Sequence, residues 1–117
     1  MRVKVINKEK LKRLFYFSPM YAKRVRNYVF YDGLWQIYVK SESREDLTHE
    51  VLINFDKLLF MCDCEDWNFQ NNEEPDLIIN TKKIWFCKHI VGSLEFLKYY
   101  TWQARELWNT IEYELNK

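Results

Sequence analysis

Two glycines and two prolines in 117 residues leave this chain almost without the residues that build irregular loops. So little glycine excludes the glycine-rich turns that cradle nucleotide phosphates, and so few of both excludes a low-complexity or collagen-like chain. Cysteine is also scarce, and its count of three is odd, so a disulfide framework would leave a thiol over. No apolar run approaches the roughly 18 residues of a membrane helix. The opening residues Met1 to Lys8 have neither the apolar core nor the cleavage site of a secretory leader. With cysteines that read as metal-binding rather than disulfide-forming, the expected location is intracellular, cytoplasmic or nuclear, with no membrane contact.

What is present describes a globular chain. Hydrophobic residues make up 48%, charged residues 30% and aromatic residues 18%, enough apolar material for one modest core in a single domain over residues 1–117. No internal repeat is visible.

All three cysteines and one of the two histidines fall into one pattern: Cys62-Asp63-Cys64, then 22 residues, then Cys87-Lys88-His89. Three thiolates and an imidazole form a common closed tetrahedral zinc set with no position left for a substrate or an activated water. The expected metal is therefore one structural Zn2+ per chain. The single-residue spacing says where each pair sits. Residues two apart share a face only in extended chain, so Cys62 and Cys64 belong to the strand-like run from Lys57, in which Leu58, Phe60 and Cys62 share parity. On a helix such residues lie about 200° apart, so Cys87 falls just before a helix and His89 in its first turn. Ile90, Val91, Leu94, Phe96 and Leu97 then follow at helical spacing. A helix start at Cys87 favours its thiolate through the dipole and free amides, and Lys88 adds positive charge. A disulfide between Cys62 and Cys64 would close a very tight ring. A catalytic Cys87–His89 pair would leave the other two cysteines unexplained. Ligand type alone admits an iron–sulfur cluster as the rival. His49 reads as an ordinary strand residue, because the ligand set is already full.

These residues resemble the SWIM zinc finger, which has the form C-x-C, a variable stretch, then C-x-H on a strand-strand-helix frame. Cys62, Cys64, Cys87 and His89 match it position for position. Asp66 and Trp67 look like its acidic and aromatic residues after the first pair, and His49 to Ile53 resembles its preceding strand. Gly92 stands where SWIM proteins of the recombination-accessory type carry a small alanine. The resemblance covers roughly residues 28–98 and implies DNA or protein partners.

The near-neutral net charge of +1 hides a segregation. Residues 1–27 hold nine Lys or Arg against Glu9 alone, whereas residues 28–80 hold three against twelve acids. A basic lobe on a near-neutral chain is the footprint of a phosphate-backbone contact, with Lys12, Arg13, Lys23, Arg24 and Arg26 as candidate contacts. The bland alternative makes Lys8 to Arg13 the solvated face of a helix with Leu11, Leu14 and Phe15 inward.

The pattern predicts an α+β fold: a small antiparallel meander, a zinc site tying a strand to the start of a long C-terminal helix, and one or two short N-terminal helices. Val3 to Ile6 reads as an edge strand, and Asn7 as the cap of a helix from Lys8 to about Phe15. Ser18-Pro19 is a fresh helix start; from there to residue 27 helix and strand patterns compete. Asp32-Gly33 signals a tight hairpin. Trp35, Ile37 and Val39 face one side of the next strand, and Leu47 to Phe55 returns. Glu65 to Asp76, with Asn71, Asn72 and Pro75, reads as a solvated acidic loop in which Trp67 or Phe69 could meet a partner. A further hairpin turns at Asn80 to Lys83. Tyr100, Ala104, Leu107, Trp108, Ile111 and Leu115 continue the long helix as an apolar stripe.

The residues thus define three divisions: a basic helical lobe over 1–27, a zinc-binding core over 28–98, and the rest of the last helix over 99–117. The leading function is a nucleic-acid-binding module, most simply for DNA. The alternative is a protein-interaction adaptor or homodimer docking through Tyr99, Trp102 and Trp108, exposed aromatic area being a mark of interfaces. No enzyme and no small-molecule substrate is expected, since there is no phosphate-cradling glycine loop, no open metal position and no clear nucleophile–base pair beyond the metal ligands.

Overall fold

A computed structural model describes residues 1–70 and 73–117. The chain is α+β, with two small antiparallel sheets, the larger packed on a buried helix and the smaller meeting the last helix through its first strand. In order it forms β1 (Val3–Val5), α1 (Lys8–Tyr16), α2 (Ser18–Ala22), β2 (Val25–Tyr31), β3 (Leu34–Lys40), β4 (Thr48–Asn54) and β5 (Leu59–Cys62). There follow α3 (Glu65–Gln70), β6 (Leu77–Ile79), β7 (Lys82–Ile84), α4 (Lys88–Leu97) and α5 (Trp102–Leu115).

The expected meander is the larger sheet, in the order β2-β3-β4-β5. Its first turn is the Asp32-Gly33 hairpin, with positive φ at both residues (52° and 81°), as the paired-strand twist requires. Ile37, Val39, Val51, Ile53, Phe60 and Cys62 bury one face. The second sheet has the order β1-β6-β7 and was not expected as a separate unit. Val3, Leu77, Ile79 and Ile84 are its buried contribution.

Against the larger sheet, and against α1, α2 and α5, lies α4, with every residue buried except Lys88 and Phe96. Its buried polar side chains are satisfied locally, Ser93 donating to His89 O and Glu95 pairing with Lys98, and the apolar remainder belongs in a core. Gly92 allows one of its contacts: a Cβ there would stand 2.7 Å from Cβ and 2.8 Å from the carbonyl carbon of Tyr21 on α2.

Four expectations need correction. The long C-terminal helix is two helices, α4 and α5, broken at Lys98–Thr101; Thr101 caps the second by accepting from the Gln103 N–H at 3.3 Å. The competing patterns over 18–27 are both realised, helix to Ala22 and strand from Val25. The acidic loop holds a helix, α3, and its Asn71 and Asn72 lie outside the described residues. The last hairpin turns at Asn80-Thr81 alone, with Asn80 at φ 59°, so its second strand begins at Lys82, two residues before the expected Ile84.

Candidate metal centre

β5 delivers Cys62 at its last residue, and the next residue still follows the ladder, since the Asp63 N–H donates to Glu50 O at 3.2 Å. Extended geometry therefore turns Cys62 and Cys64 to the same side. Cys64 then begins α3: its carbonyl accepts from Asn68 N, and its sulfur accepts the Trp67 N–H at 3.4 Å. On the other side Cys87 is the N-cap of α4, in extended conformation, and His89 lies in the first turn. The sequence places this second pair correctly; the helix start at Cys64 it misses, although Glu65-Asp66 in a first turn is a fair signal for one.

All four residues are buried, and their ligand atoms lie within 4.8 Å of one another. His89 presents Nδ1 to the sulfurs, 3.6 Å from Cys62 Sγ and 3.9 Å from Cys87 Sγ. A tetrahedron with Zn–S of about 2.3 Å and Zn–N of about 2.0–2.1 Å has S···N edges of about 3.6 Å. The residues thus fit a tetrahedral ion, and the cluster can hold a metal. None of the cysteines is in a disulfide, which removes the tight-ring alternative.

The electrostatics of the donors point the same way. Hydrogen bonding with the Cys64 sulfur pushes the Cys62 thiol up to about 12, with burial adding to it. Burial, then its thiol neighbours, pushes Cys87 up as well. Cys64 moves in the opposite direction, held low by hydrogen bonds from Cys62 and then Cys87. The three sulfurs thus compete for negative charge in this space, Cys64 favouring it and Cys62 and Cys87 resisting it. Three thiolates together call for a cation at their centre.

Two neighbours fix the ligands from behind. The His49 ring on β4 packs on the His89 ring at 4.3 Å between centroids, and Asp63 Oδ1 meets His49 Nδ1 at 3.1 Å while accepting the Glu50 N–H. His49 is a strand residue and stands outside the four-ligand cluster, as expected, but it braces a ligand. Asp76 is buried and does the same for Cys87. Its carboxylate accepts from the Phe86 N–H at 2.8 Å and from Lys10 Nζ at 2.7 Å, and Lys10 donates to the Phe86 carbonyl at 3.1 Å. Both backbone groups before the ligand are thereby held. Sequence reasoning missed this clamp because its partners lie far apart along the chain.

The other candidate residues fall elsewhere. Lys12, Arg13, Lys23 and Arg26 are exposed and Arg24 is half-buried. Arg24 donates to Ser41 O and Arg26 to Lys23 O; neither forms an ion pair among the described residues, although both lie near enough to Glu45 to help hold its carboxyl low, after Lys40. Tyr99 and Trp102 are exposed, but Trp108 is not an interface residue: it is buried, stacked on Phe15 at 4.3 Å and covered by Lys98 Nζ at 4.5 Å. Trp67 is half-buried, with its indole N–H donating to Trp85 O, while Phe69 is exposed. No helix among the described residues is long and apolar enough to cross a membrane.

Comparison with family models, curated proteins and solved structures gave no match. The functional reading therefore rests on the chain's own residues.

Proposed function

We propose that the cluster is a structural zinc centre in a module that binds nucleic acid, most simply DNA, through its basic N-terminal lobe. The observation that carries the zinc reading is the buried set of three sulfurs and one imidazole at tetrahedral spacing. Sulfur-rich tetrahedral sites favour zinc over hard cations, and four protein ligands leave no open position for catalysis. The ligand order and its placement, a strand end followed by a helix start, support the SWIM-type reading. On that reading Asp66 and Trp67 belong to the motif, and the partners are DNA or protein.

Nucleic-acid binding is favoured by unneutralised charge. Among the described residues, ion pairs engage Lys10, Lys40, Arg44, Lys88, Lys98 and Lys117, together with His49, and none engages Lys12, Arg13, Lys23, Arg24 or Arg26. Such cations release counterions from a phosphate backbone, so affinity falls steeply as salt rises. The test is fluorescence anisotropy with labelled duplex across a salt series. Binding is expected to weaken on a log–log line, with Lys12→Glu and Arg13→Glu lowering both affinity and slope. A salt-independent complex, or none, contradicts it. Arg24 is a poor choice for reversal, because its hydrogen bond to Ser41 O holds local structure.

The adaptor reading keeps one specific support, the exposed rings of Tyr99 and Trp102 at the α4–α5 break. It calls for a salt-tolerant protein complex weakened by Trp102→Ala.

A further inference from the structure

The core face of the larger sheet is not covered to its end. Phe30 and Trp35 are partners across β2 and β3, and Trp35 is in turn the partner of Ile53 on β4, so both rings lie on the side where Ile53 is buried. Phe55, two residues past Ile53, reaches the same side, its ring 6.2 Å from that of buried Phe60. α4 packs on this sheet but stops at Leu97, and α5 begins only at Trp102. At the Gly33 turn a cavity of about 80 Å³ remains, lined by Phe30, Trp35, Phe55, Asp56, Thr101 and Gln103.

Its size restricts what can enter. The volume suits about two or three water molecules at about 30 Å³ each, or the head of one side chain, and falls well below the roughly 300–1,000 Å³ of sites that enclose whole small ligands. Its lining restricts the chemistry. Phe30 and Trp35 touch at 4.5 Å between centroids with planes 43° apart, and core packing would close the space beside them; instead Phe30 is 54% exposed. Aromatic faces are negative and attract a cation, that of tryptophan most strongly. Asp56 adds a carboxylate that no ion pair engages among the described residues. None of the chain's own cations fills the place: among the described residues, cation–π contacts fall on Tyr99, Trp108 and Tyr113. Gln103 lies in the first turn of α5, where a free N–H would favour an anion, but its N–H is spent on Thr101 Oγ1 at 3.3 Å.

We propose that this cavity binds an N-methylated ammonium head group, of the kind carried by a trimethyllysine side chain or by choline. Phe30, Trp35 and Phe55 supply the cation–π walls, and Asp56 supplies the counter-charge at the rim. A quaternary ammonium suits the site better than a primary one, because its methyl groups fill apolar space and a primary ammonium is strongly hydrated. The site is separate from the basic lobe, and its occupation does not depend on nucleic-acid binding.

The test is titration of the full metal-loaded chain, followed by calorimetry and by the Trp35 indole N–H signal in nuclear magnetic resonance. The probes are a short peptide bearing trimethyllysine, the same peptide with a neutral tert-butyl carbon in place of the ammonium, the unmodified lysine peptide, and choline. The trimethyllysine peptide is expected to move the Trp35 signal and to bind about tenfold or more tighter than its neutral analogue, with unmodified lysine weaker as well. Asp56→Asn and Phe30→Leu, both at exposed positions, are expected to weaken the quaternary probes and to leave the neutral peptide and the circular dichroism unchanged. Choline binding as tightly as the peptide assigns the site to a free or lipid-borne head group, and tighter binding of the peptide assigns it to a protein side chain; either sustains the proposal. Equal binding of the cation and its neutral analogue makes the cavity a mere apolar gap and overturns it. So does the absence of binding by both quaternary probes, or binding that leaves the Trp35 signal unmoved.

Discussion

Gly92 marks the closest approach between α2 and α4. An exposed helical glycine replaced by alanine gains about 0.5–1 kcal/mol from helix propensity. Here the added carbon would meet the Tyr21 backbone at 2.8 Å, and backbone cannot rotate aside as a side-chain tip can. Overpacking of this kind costs about 1–3 kcal/mol, so Gly92→Ala is expected to lower stability in urea or thermal unfolding. A gain would show that α2 does not press on α4 as described. At this scale the clustering of Cys62, Cys64, Cys87 and His89 was the most legible part of the chain, because a spacing of two residues has different meanings on a strand and at a helix start. The small residue at 92 could be read as small, but not as one that must lack a Cβ. Asp76 and His49 were legible only as a loop acid and a strand histidine. Their roles depend on Lys10, Phe86 and His89, and contacts between distant segments leave no periodic trace.

Elements were read well where periodicity and turn chemistry agreed. Asp32-Gly33 fixed the first hairpin, and alternation through β3 picked out its buried face. The apolar stripe of α5 is buried at Ala104, Leu107, Trp108, Ile111 and Leu115, while Tyr100, assigned to the same stripe, lies before the helix and is exposed. Nothing in Lys98-Tyr99-Tyr100-Thr101 has the breaking power of glycine or proline, so the stop between α4 and α5 was hidden. Thr101 supplies the restart, its side chain accepting from an otherwise unpaired N–H. Thr101→Ala is therefore expected to cost about 1 kcal/mol, seen as a lower unfolding midpoint. An unchanged midpoint would mean that the cap is idle and that packing alone sets the break. Trp108 teaches the complementary lesson: its place on the apolar stripe pointed inward, and Phe15 of α1 provides the cover.

At the scale of the molecule, the charge segregation visible in the sequence survives folding in part. Lys10 is withdrawn from the basic lobe to pair with Asp76, while Lys12, Arg13, Lys23 and Arg26 stay exposed. The Cys/His cluster joins the end of the four-stranded sheet to the first turn of the central helix, which packs on that sheet and is linked to it along the chain through α3, β6 and β7. A bound structural zinc contributes on the order of 10 kcal/mol or more as folding energy in small domains, comparable with the whole stability of a chain this size. The sign of its pH dependence follows from the donors. Cys62 and Cys87 hold their protons tightly, and those protons must leave on binding, so metal affinity falls as pH is lowered.

The most direct measurement joins metal content to folding: elemental analysis of the purified chain, followed by near-ultraviolet circular dichroism during chelation and after readdition of zinc. One zinc per chain is expected, with aromatic circular dichroism lost on chelation, restored by zinc, and absent in Cys64→Ala. A chain that keeps its full tertiary signal and unfolding midpoint with no metal bound, or that carries iron and sulfide in zinc's place, contradicts the structural zinc centre.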